Sequence, residues 1–304
     1  MGLLDEVRAH AAAVAGSARF VSIDVERIAQ YAASLLPLDQ ARAAELDPAT
    51  HYLGEPEATL AYVVTLDAIN FGSGYFPHLR KRAGMSGYFT VASSLKDLWE
   101  SRGPLSARDL GALSADECAR VFGQSLDDPV VAELMALFAQ ALNDLGRYVA
   151  SEFGGSFRAL VDAAEGSAAQ LAQVLAQMPF YQDVGFYKRA QLTAADLAIA
   201  RVAEFRDLDR LTIFADNLVP HVLRVDGILR YDPGLLARID REELIPAGSP
   251  EEQEIRACAL HAVELIRGRL NAVTSMQLDY VLWNRGQQPA YKAQPRHRTR
   301  TVFY

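Results

Sequence analysis

Apolar residues along most of this chain recur at steps of three and four, which is the spacing of one face of an α-helix. The clearest case is the stretch 129–152, where Leu134, Phe138 and Leu142 continue a broad apolar stripe. Such a stripe is typical of a helix that packs against a core. The pattern therefore predicts a mainly α, multi-helix globular fold with a few short strands.

Breaker residues and capping residues divide this pattern into elements. Short extended pieces are predicted at 19–23, in GYFTVASS from Gly87, and at Phe186 and Tyr187. Helices are predicted at about 2–15, 39–46, 95–99, 106–112, 114–122, 129–152, 156–177, 250–270 and 275–286. Other helices are predicted to begin after an Asp24 cap, at Pro56, at a Thr193 cap and after Asp216.

No internal repeat, low-complexity tract or clear linker interrupts these elements. A repeat at a fixed period would indicate a solenoid or a propeller, and a polar linker would indicate a domain boundary. Residues 1–304 are therefore expected to form a single domain, either undivided or built as two helical lobes with the site between them.

The stretch LTIFADNLVPHVL places a carboxylate at the start of a predicted helix. Apolar residues lead up to Asp216, and Pro220 fits the first turn of the helix that follows. The positive end of the helix dipole favours an ionised carboxylate there, so Asp216 is suited to stabilising a developing cation. The alternative is that Asp216 only caps the helix, because Asp is a common N-cap residue.

A second group of polar and aromatic residues follows the helix that begins at Pro56. Asp67 falls on the apolar face of that helix, and Asn70 and Phe71 come just before a flexible GSG turn. An amide beside aromatic rings can bind a planar heterocycle by stacking and edge hydrogen bonds. His51 could donate a further hydrogen bond. The alternatives are an aromatic helix end packed in the core and a structural histidine.

The C-terminal third carries further polar residues, some of which are candidates for binding an anion. Lys188 follows two aromatics and could bind a phosphate, unless it is simply a solvated lysine. Asp279 lies beside an aromatic stripe on the last long helix. The basic run in PRHRTR could screen a phosphate or pair with the acidic body of the protein.

Composition excludes several classes of function. The chain has 304 residues and a net charge of -8, so no general attraction to nucleic acid or an anionic membrane is expected. Cys118 and Cys258 have no CxxC partner, so neither a structural zinc nor any other metal is predicted. The charged start MGLLDEVRAH argues against a signal peptide, and no apolar run is long enough for a membrane span. A cytoplasmic protein without a cofactor is expected.

The combined order of segments resembles the queuosine salvage proteins, the queuosine 5′-phosphate N-glycosylase/hydrolase family, over nearly the whole chain. The segments are DAINFGSGYFP, GYFT, FYKRAQLTAADL, LTIFADNLVPHVL, LDYVLWNRG and PRHRTRTVFY. The resemblance implies hydrolysis of queuosine 5′-monophosphate to release queuine for tRNA. It also implies a helical fold related to the helix-hairpin-helix DNA glycosylases, although no glycine-rich hairpin precedes Asp216, as suits a small-molecule substrate.

This chemistry assigns roles to the candidate residues. An N-glycosidic bond breaks through an oxocarbenium-like state, so Asp216 and Asp279 are the predicted catalytic carboxylates. The leaving 7-deazapurine needs hydrogen-bond donors at its edge, for which Asn70, Asn217 and His51 are predicted. The remaining predicted substrate contacts are Phe71 as the stacking surface and Lys188 as an anion site. The rival interpretations are a non-catalytic helical module that binds a nucleotide or a partner protein, and a DNA glycosylase.

Overall fold

The computed structural model describes residues 2–35 and 45–304. Contacts divide the chain into two compact units. The first unit holds the described residues up to 35, Val184–Lys188 and Asp209–Arg300, and the second holds Glu45–Asp183, Arg189–Leu208 and Thr301–Tyr304. The single domain and the site between two lobes both stay predictions. Within the described ranges, no helix has the length and apolar character needed to cross a membrane.

The described chain is mainly helical, as predicted. Two short strands, β1 (Val21–Ile23) and β2 (Leu229–Tyr231), form the sheet found in these residues. In chain order the helices are α1 (Leu3–Ser17), α2 (Ile28–Ser34), α3 (Pro56–Ala68), α4 (Gly87–Arg102), α5 (Ala107–Leu110), α6 (Ala115–Val121), α7 (Pro129–Glu152), α8 (Phe157–Asp162), α9 (Ala168–Leu175), α10 (Lys188–Ile199), α11 (Leu218–Val225), α12 (Pro233–Asp240), α13 (Pro250–Arg267), α14 (Ser275–Gly286) and α15 (Pro289–Lys292).

The first unit is organised around α13. Its N-terminus is fixed by the Ser249 side chain, which accepts a hydrogen bond from the Glu252 amide, and by Pro250 in the first turn. Buried residues such as Ile255 and Val263 pack this helix against α1, α2, α11, α14 and β1. β1 pairs with β2 in antiparallel register, and Val21 lies opposite Tyr231. This unit brings segments distant in sequence together around one helix.

The second unit is organised around α7. Leu134, Phe138 and Leu142, the stripe seen in the sequence, are all buried, so the predicted core helix is confirmed. α7 packs against α3, α5, α6 and α8, and α3 also packs against α4. Pro56 occupies the first turn of α3, as predicted, and the Glu55 side chain caps the helix.

Two predictions in the second unit are wrong. The strand predicted in GYFTVASS is the first part of α4, because Ser86 caps the helix there by accepting from the Phe89 amide. The single helix predicted at 156–177 is two helices, α8 and α9. Glu165 and Gly166 adopt positive φ angles between them, which a continuous helix does not allow.

Three further local predictions need correction. The extended piece at Phe186 is a turn, and the helix predicted from Thr193 begins at Lys188. Thr193 does not cap this helix, because it lies inside α10 and donates to the Arg189 carbonyl. Asp24 does not cap with its side chain but pairs with Arg230 at 2.5 Å. The helix predicted at 39–46 falls mostly outside the described residues.

Candidate active site

Asp216 ends a buried, non-helical segment and precedes α11. One carboxylate oxygen accepts a hydrogen bond from the Leu218 amide at 2.7 Å, so Asp216 caps the helix from just before the N-cap position. Pro220 lies in the first turn, as predicted. The side chain is only partly buried. Asp216 therefore combines a fixed geometry with access for a ligand.

Asp279 lies within α14 and reaches the segment that carries Asp216. Its Oδ1 accepts a hydrogen bond from the Phe214 amide at 2.9 Å, and the residue is 5% exposed. The position of Asp279 follows from the capping box that starts α14, in which Thr274 and Gln277 satisfy each other's backbone amides. The buried Asp279 carboxyl group is thus held against the backbone at a point two residues before Asp216.

Asp279 carries a strongly perturbed pKa. Burial and, next to it, the nearby charge of Asp216 raise the pKa to about 7, against the opposing effects of the Phe214 amide and Lys188. A pair of carboxyl groups in unlike environments is a frequent arrangement in acid–base catalysis. The first unit therefore contains one partly exposed carboxylate and one buried carboxyl group whose pKa lies near neutral pH.

Lys188 joins this pair. It is the first residue of α10 and is only 6% exposed, so the alternative of a solvated lysine is wrong. Its positive charge acts on Asp279. Tyr187, just before it, has a φ of 49°, a conformation that a bulky non-glycine residue rarely adopts. Such local strain is often found at functional sites.

Asn217 has a buried amide without a partner. The residue is 4% exposed, and its Nδ2 makes no hydrogen bond to any described residue. It occupies the N-cap position of α11, but its side chain does not cap the helix. An unsatisfied buried donor costs about 1–3 kcal/mol, so a ligand acceptor at this position would be favourable.

Arg256 was not singled out from the sequence, and Phe186 was predicted only as part of an extended piece before Lys188. Arg256 lies on α13, donates from Nε to the Ala215 carbonyl at 2.9 Å, and places its guanidinium 3.9 Å from the centre of the Phe186 ring. The signal in the sequence was a charged pair, Glu252 and Arg256, four residues apart on the apolar face of α13.

The basic tail has mixed surroundings. Arg298 pairs with Glu242 at 3.0 Å, which matches the alternative of charge pairing for this residue. His297 is buried, and burial together with the charges of Arg296 and Arg256 lowers its pKa to about 3. His297 is therefore neutral at physiological pH.

His51 lies in the second unit with both ring nitrogens engaged. Its Nε2 is 2.9 Å from the Tyr88 hydroxyl, and its Nδ1 is 3.0 Å from the Thr50 hydroxyl. Burial lowers its pKa, so the ring is neutral at physiological pH. These contacts agree with a structural histidine, and the donation to a ligand stays a prediction.

Asn70 and Phe71 also lie in the second unit. The Asn70 amide donates to Asp67 at 3.3 Å. Phe71 is 1% exposed, its ring centre is 5.2 Å from that of Phe138, and the Arg189 guanidinium is 4.9 Å from it. This packing agrees with the alternative of an aromatic core. The roles in base stacking and base recognition stay predictions.

The structure thus brings together the part of the predicted site in the first unit, namely Asp216, Asp279, Lys188 and Asn217. Among the described residues, no group of three or more His, Cys, Asp or Glu side chains is arranged to hold a metal ion. Of these groups, the carboxylates can stabilise a cationic sugar, whereas the buried cation and the buried amide donor are suited to anionic or hydrogen-bond-accepting parts of a ligand.

A model of the queuosine salvage protein family matches residues 50–304. The chain belongs to the queuosine salvage protein family. The queuosine 5′-phosphate N-glycosylase/hydrolase of Sphaerobacter thermophilus is 37% identical over 317 residues, which cover 96% of this chain and 95% of that protein. The mouse protein of the same name is 31% identical and covers 96% of each chain.

A third relative, from Bos taurus, is 30% identical and covers 83% of each chain. These matches confirm the family resemblance inferred from the ordered segments. The match to the family model includes the carboxylate, lysine and tail segments, because it covers residues 50–304. The relation to helix-hairpin-helix DNA glycosylases stays a prediction.

Proposed function

We propose that this protein hydrolyses the N-glycosidic bond of queuosine 5′-monophosphate and releases queuine for salvage into tRNA. Membership of the family and the names of the relatives support this proposal. The structural observation that supports it most is the pair formed by the partly exposed Asp216 and the buried Asp279. The pKa of Asp279 is raised to about 7.

In this proposal Asp216 faces the ribose. As the bond between C1′ and the base nitrogen breaks, its electron pair leaves with the base and positive charge develops on the sugar. The ionised Asp216 carboxylate stabilises that charge, and water then adds its oxygen to C1′. One water proton is passed to the departing base. The products are queuine and ribose 5-phosphate.

Asp279 has a complementary role in the proposal. Its hydrogen bond to Phe214 fixes the segment that carries Asp216. Because its pKa lies near 7, it can accept or release a proton at physiological pH with little change in free energy. Asp279 therefore serves the carboxylate pair as the member that exchanges protons.

The other predicted contacts divide between phosphate and base. Lys188 is proposed to bind the anionic phosphate, because it is a buried cation beside the carboxylate pair. Asn217 is proposed to donate to the base or the sugar through its unpaired amide. His51, Asn70 and Phe71 are kept as proposed base contacts, and substitution tests them. A cytoplasmic location and the lack of direct nucleic-acid binding stay predictions.

The direct test is product analysis. Purified protein is incubated with queuosine 5′-monophosphate, with and without a metal chelator, and free queuine and ribose 5-phosphate are quantified by chromatography. We expect both products in equal amounts, with Asp216→Asn as the inactive comparison. Binding of the nucleotide without release of queuine would favour the non-catalytic module and overturn the proposal.

A further inference from the structure

Arg256 contacts both segments that carry the proposed site residues of the first unit. Its Nε donates to the carbonyl of Ala215, directly before Asp216. Its guanidinium lies 3.9 Å from the ring centre of Phe186, two residues before Lys188. A single buried side chain on α13 therefore links the segment of Asp216 to the segment of Lys188.

The segment 214–218 is held by hydrogen bonds along its length. Asp279 accepts from the Phe214 amide, Arg256 donates to the Ala215 carbonyl, and Asp216 accepts from the Leu218 amide. The segment between Phe214 and Leu218 contains no helix or strand of its own. Side chains from α13 and α14 therefore replace the regular backbone hydrogen bonds that would otherwise fix it.

The segment at 184–188 needs a similar anchor. Tyr187 has a φ of 49°, and strained backbone of this kind persists only where the surroundings hold it in place. Phe186 is buried, with the Arg256 guanidinium over its ring and the ring centre of His10 5.4 Å away in a T-shaped arrangement. The stacked Arg256 thus holds the backbone next to Lys188.

Arg256 is itself held in place. It is 1% exposed, and its Nη1 lies 3.5 Å from Glu252, one turn earlier on α13. Glu252 also accepts from the Gly248 amide at 3.2 Å, which ties the pair to the start of the helix. A buried charge supported in this way has a fixed orientation.

From these contacts we propose that Arg256 is the positioning residue of the active site, holding the backbone of Asp216 and of Lys188 at the distance that catalysis needs. This inference rests on the proposed function. Arg256 acts through the backbone of Ala215 and the ring of Phe186 and is not assigned a contact with substrate. A guanidinium suits this role because it can donate in its plane and stack on an aromatic face at once.

The test compares three variants by their steady-state kinetics on queuosine 5′-monophosphate. Arg256→Gln is expected to lower kcat by about 100-fold while KM changes by less than about threefold, because misplacement affects the transition state more than binding. Arg256→Lys keeps a positively charged donor on a long side chain, which Arg256→Gln lacks, but loses the planar guanidinium face, so about a tenth of the wild-type kcat is expected to remain.

Glu254→Gln is the matched control. Glu254 is a buried carboxylate two residues away on α13 that accepts from the amides of Arg19, Phe20 and Val21. Its substitution is expected to lower stability but to leave kcat of the folded protein unchanged. If Arg256→Gln does not fold, Glu252→Gln, which releases Arg256 from its support, is expected to lower kcat with KM preserved.

The outcomes separate the two proposals. If the wild-type protein releases no queuine, the proposed function fails. If the wild-type protein is active and Arg256→Gln keeps its kcat per folded molecule, the positioning role is overturned. Equal loss of kcat in Arg256→Gln and Arg256→Lys would also overturn it, because a positioning role through donation and stacking predicts partial rescue by lysine.

Discussion

The carboxylate of Asp279 accepts a hydrogen bond from the backbone amide of Phe214, two residues before Asp216. This contact joins two segments that are 65 residues apart in sequence. It also brings the charge of Asp216 close enough to raise the pKa of Asp279. The relationship makes the two carboxyl groups one electrostatic unit, so that a change in either alters the other.

Asp216→Asn is expected to lower kcat by about 100-fold or more, because the ionised oxygen that stabilises the sugar cation is lost. The fold is expected to remain, since an Asn side chain can still accept from the Leu218 amide. The matched control is Asp232→Asn, because Asp232 also caps a helix in the first unit, accepting from Gly234 at 2.8 Å. If Asp216→Asn and Asp232→Asn had equal activity, the role of Asp216 would be limited to capping α11.

Asp279→Asn is expected to remove part of the pH dependence of stability. The pKa of Asp279 is about 7 in the folded protein and about 4 when unfolded. Between these values the folded state binds more protons, so wild-type stability falls as pH rises from about 4 to about 7.

The amide side chain of the Asp279→Asn variant does not ionise, so the variant does not lose stability in this way as pH rises. Asp279→Asn should therefore be more stable relative to wild type at pH 8 than at pH 5, by on the order of 3 kcal/mol at most. Urea unfolding at the two pH values measures this difference, and a constant difference would contradict the raised pKa. In the same variant, kcat is expected to fall by about 100-fold because the proton-exchanging partner is lost.

Lys188→Met is expected to reduce the preference of the protein for the phosphorylated nucleotide over the unphosphorylated nucleoside. If Lys188 binds the 5′-phosphate, kcat/KM for queuosine 5′-monophosphate should fall by about 100-fold, while kcat/KM for the unphosphorylated nucleoside changes by less than about threefold. Lys292→Met, at the exposed end of α15, serves as the control. An equal loss of kcat/KM on both substrates would instead indicate that Lys188 acts on the carboxyl groups of Asp216 and Asp279.

Phe71→Leu separates the two interpretations of this aromatic residue. Phe71 is buried against Phe138 and the Arg189 guanidinium, so we expect the free energy of unfolding to fall by about 1–2 kcal/mol. If Phe71 also stacks on the base, KM should rise several-fold in the folded variant. Thermal unfolding and steady-state kinetics on the same sample measure both effects, and an unchanged KM would remove Phe71 from the site.

Periodicity predicted most of the fold because long amphipathic helices show their buried face in the sequence. α7, α13 and α14 were all predicted close to their observed bounds. The errors occur where one local interaction decides the conformation. The Ser86 cap converts a strand-like run into helix, and positive φ angles at Glu165 and Gly166 interrupt a helical pattern.

Only part of the candidate site could be predicted from the sequence, for a related reason. Asp216 stood out because an acid after an apolar run and before a helix has a known electrostatic consequence. Arg256 and Phe186 could not be assigned in the same way, since their importance comes from contacts between segments far apart in the chain. The pKa of Asp279 likewise depends on burial and on a neighbour 63 residues away in sequence, Asp216.

The pairing of β1 with β2 has a consequence for how the molecule is made. α1 and β1 are synthesised more than 200 residues before their main partners, α13 and β2. Most of the second unit is contiguous and can assemble its core meanwhile. The carboxylate pair therefore cannot form during translation until α14, which carries Asp279, has been synthesised.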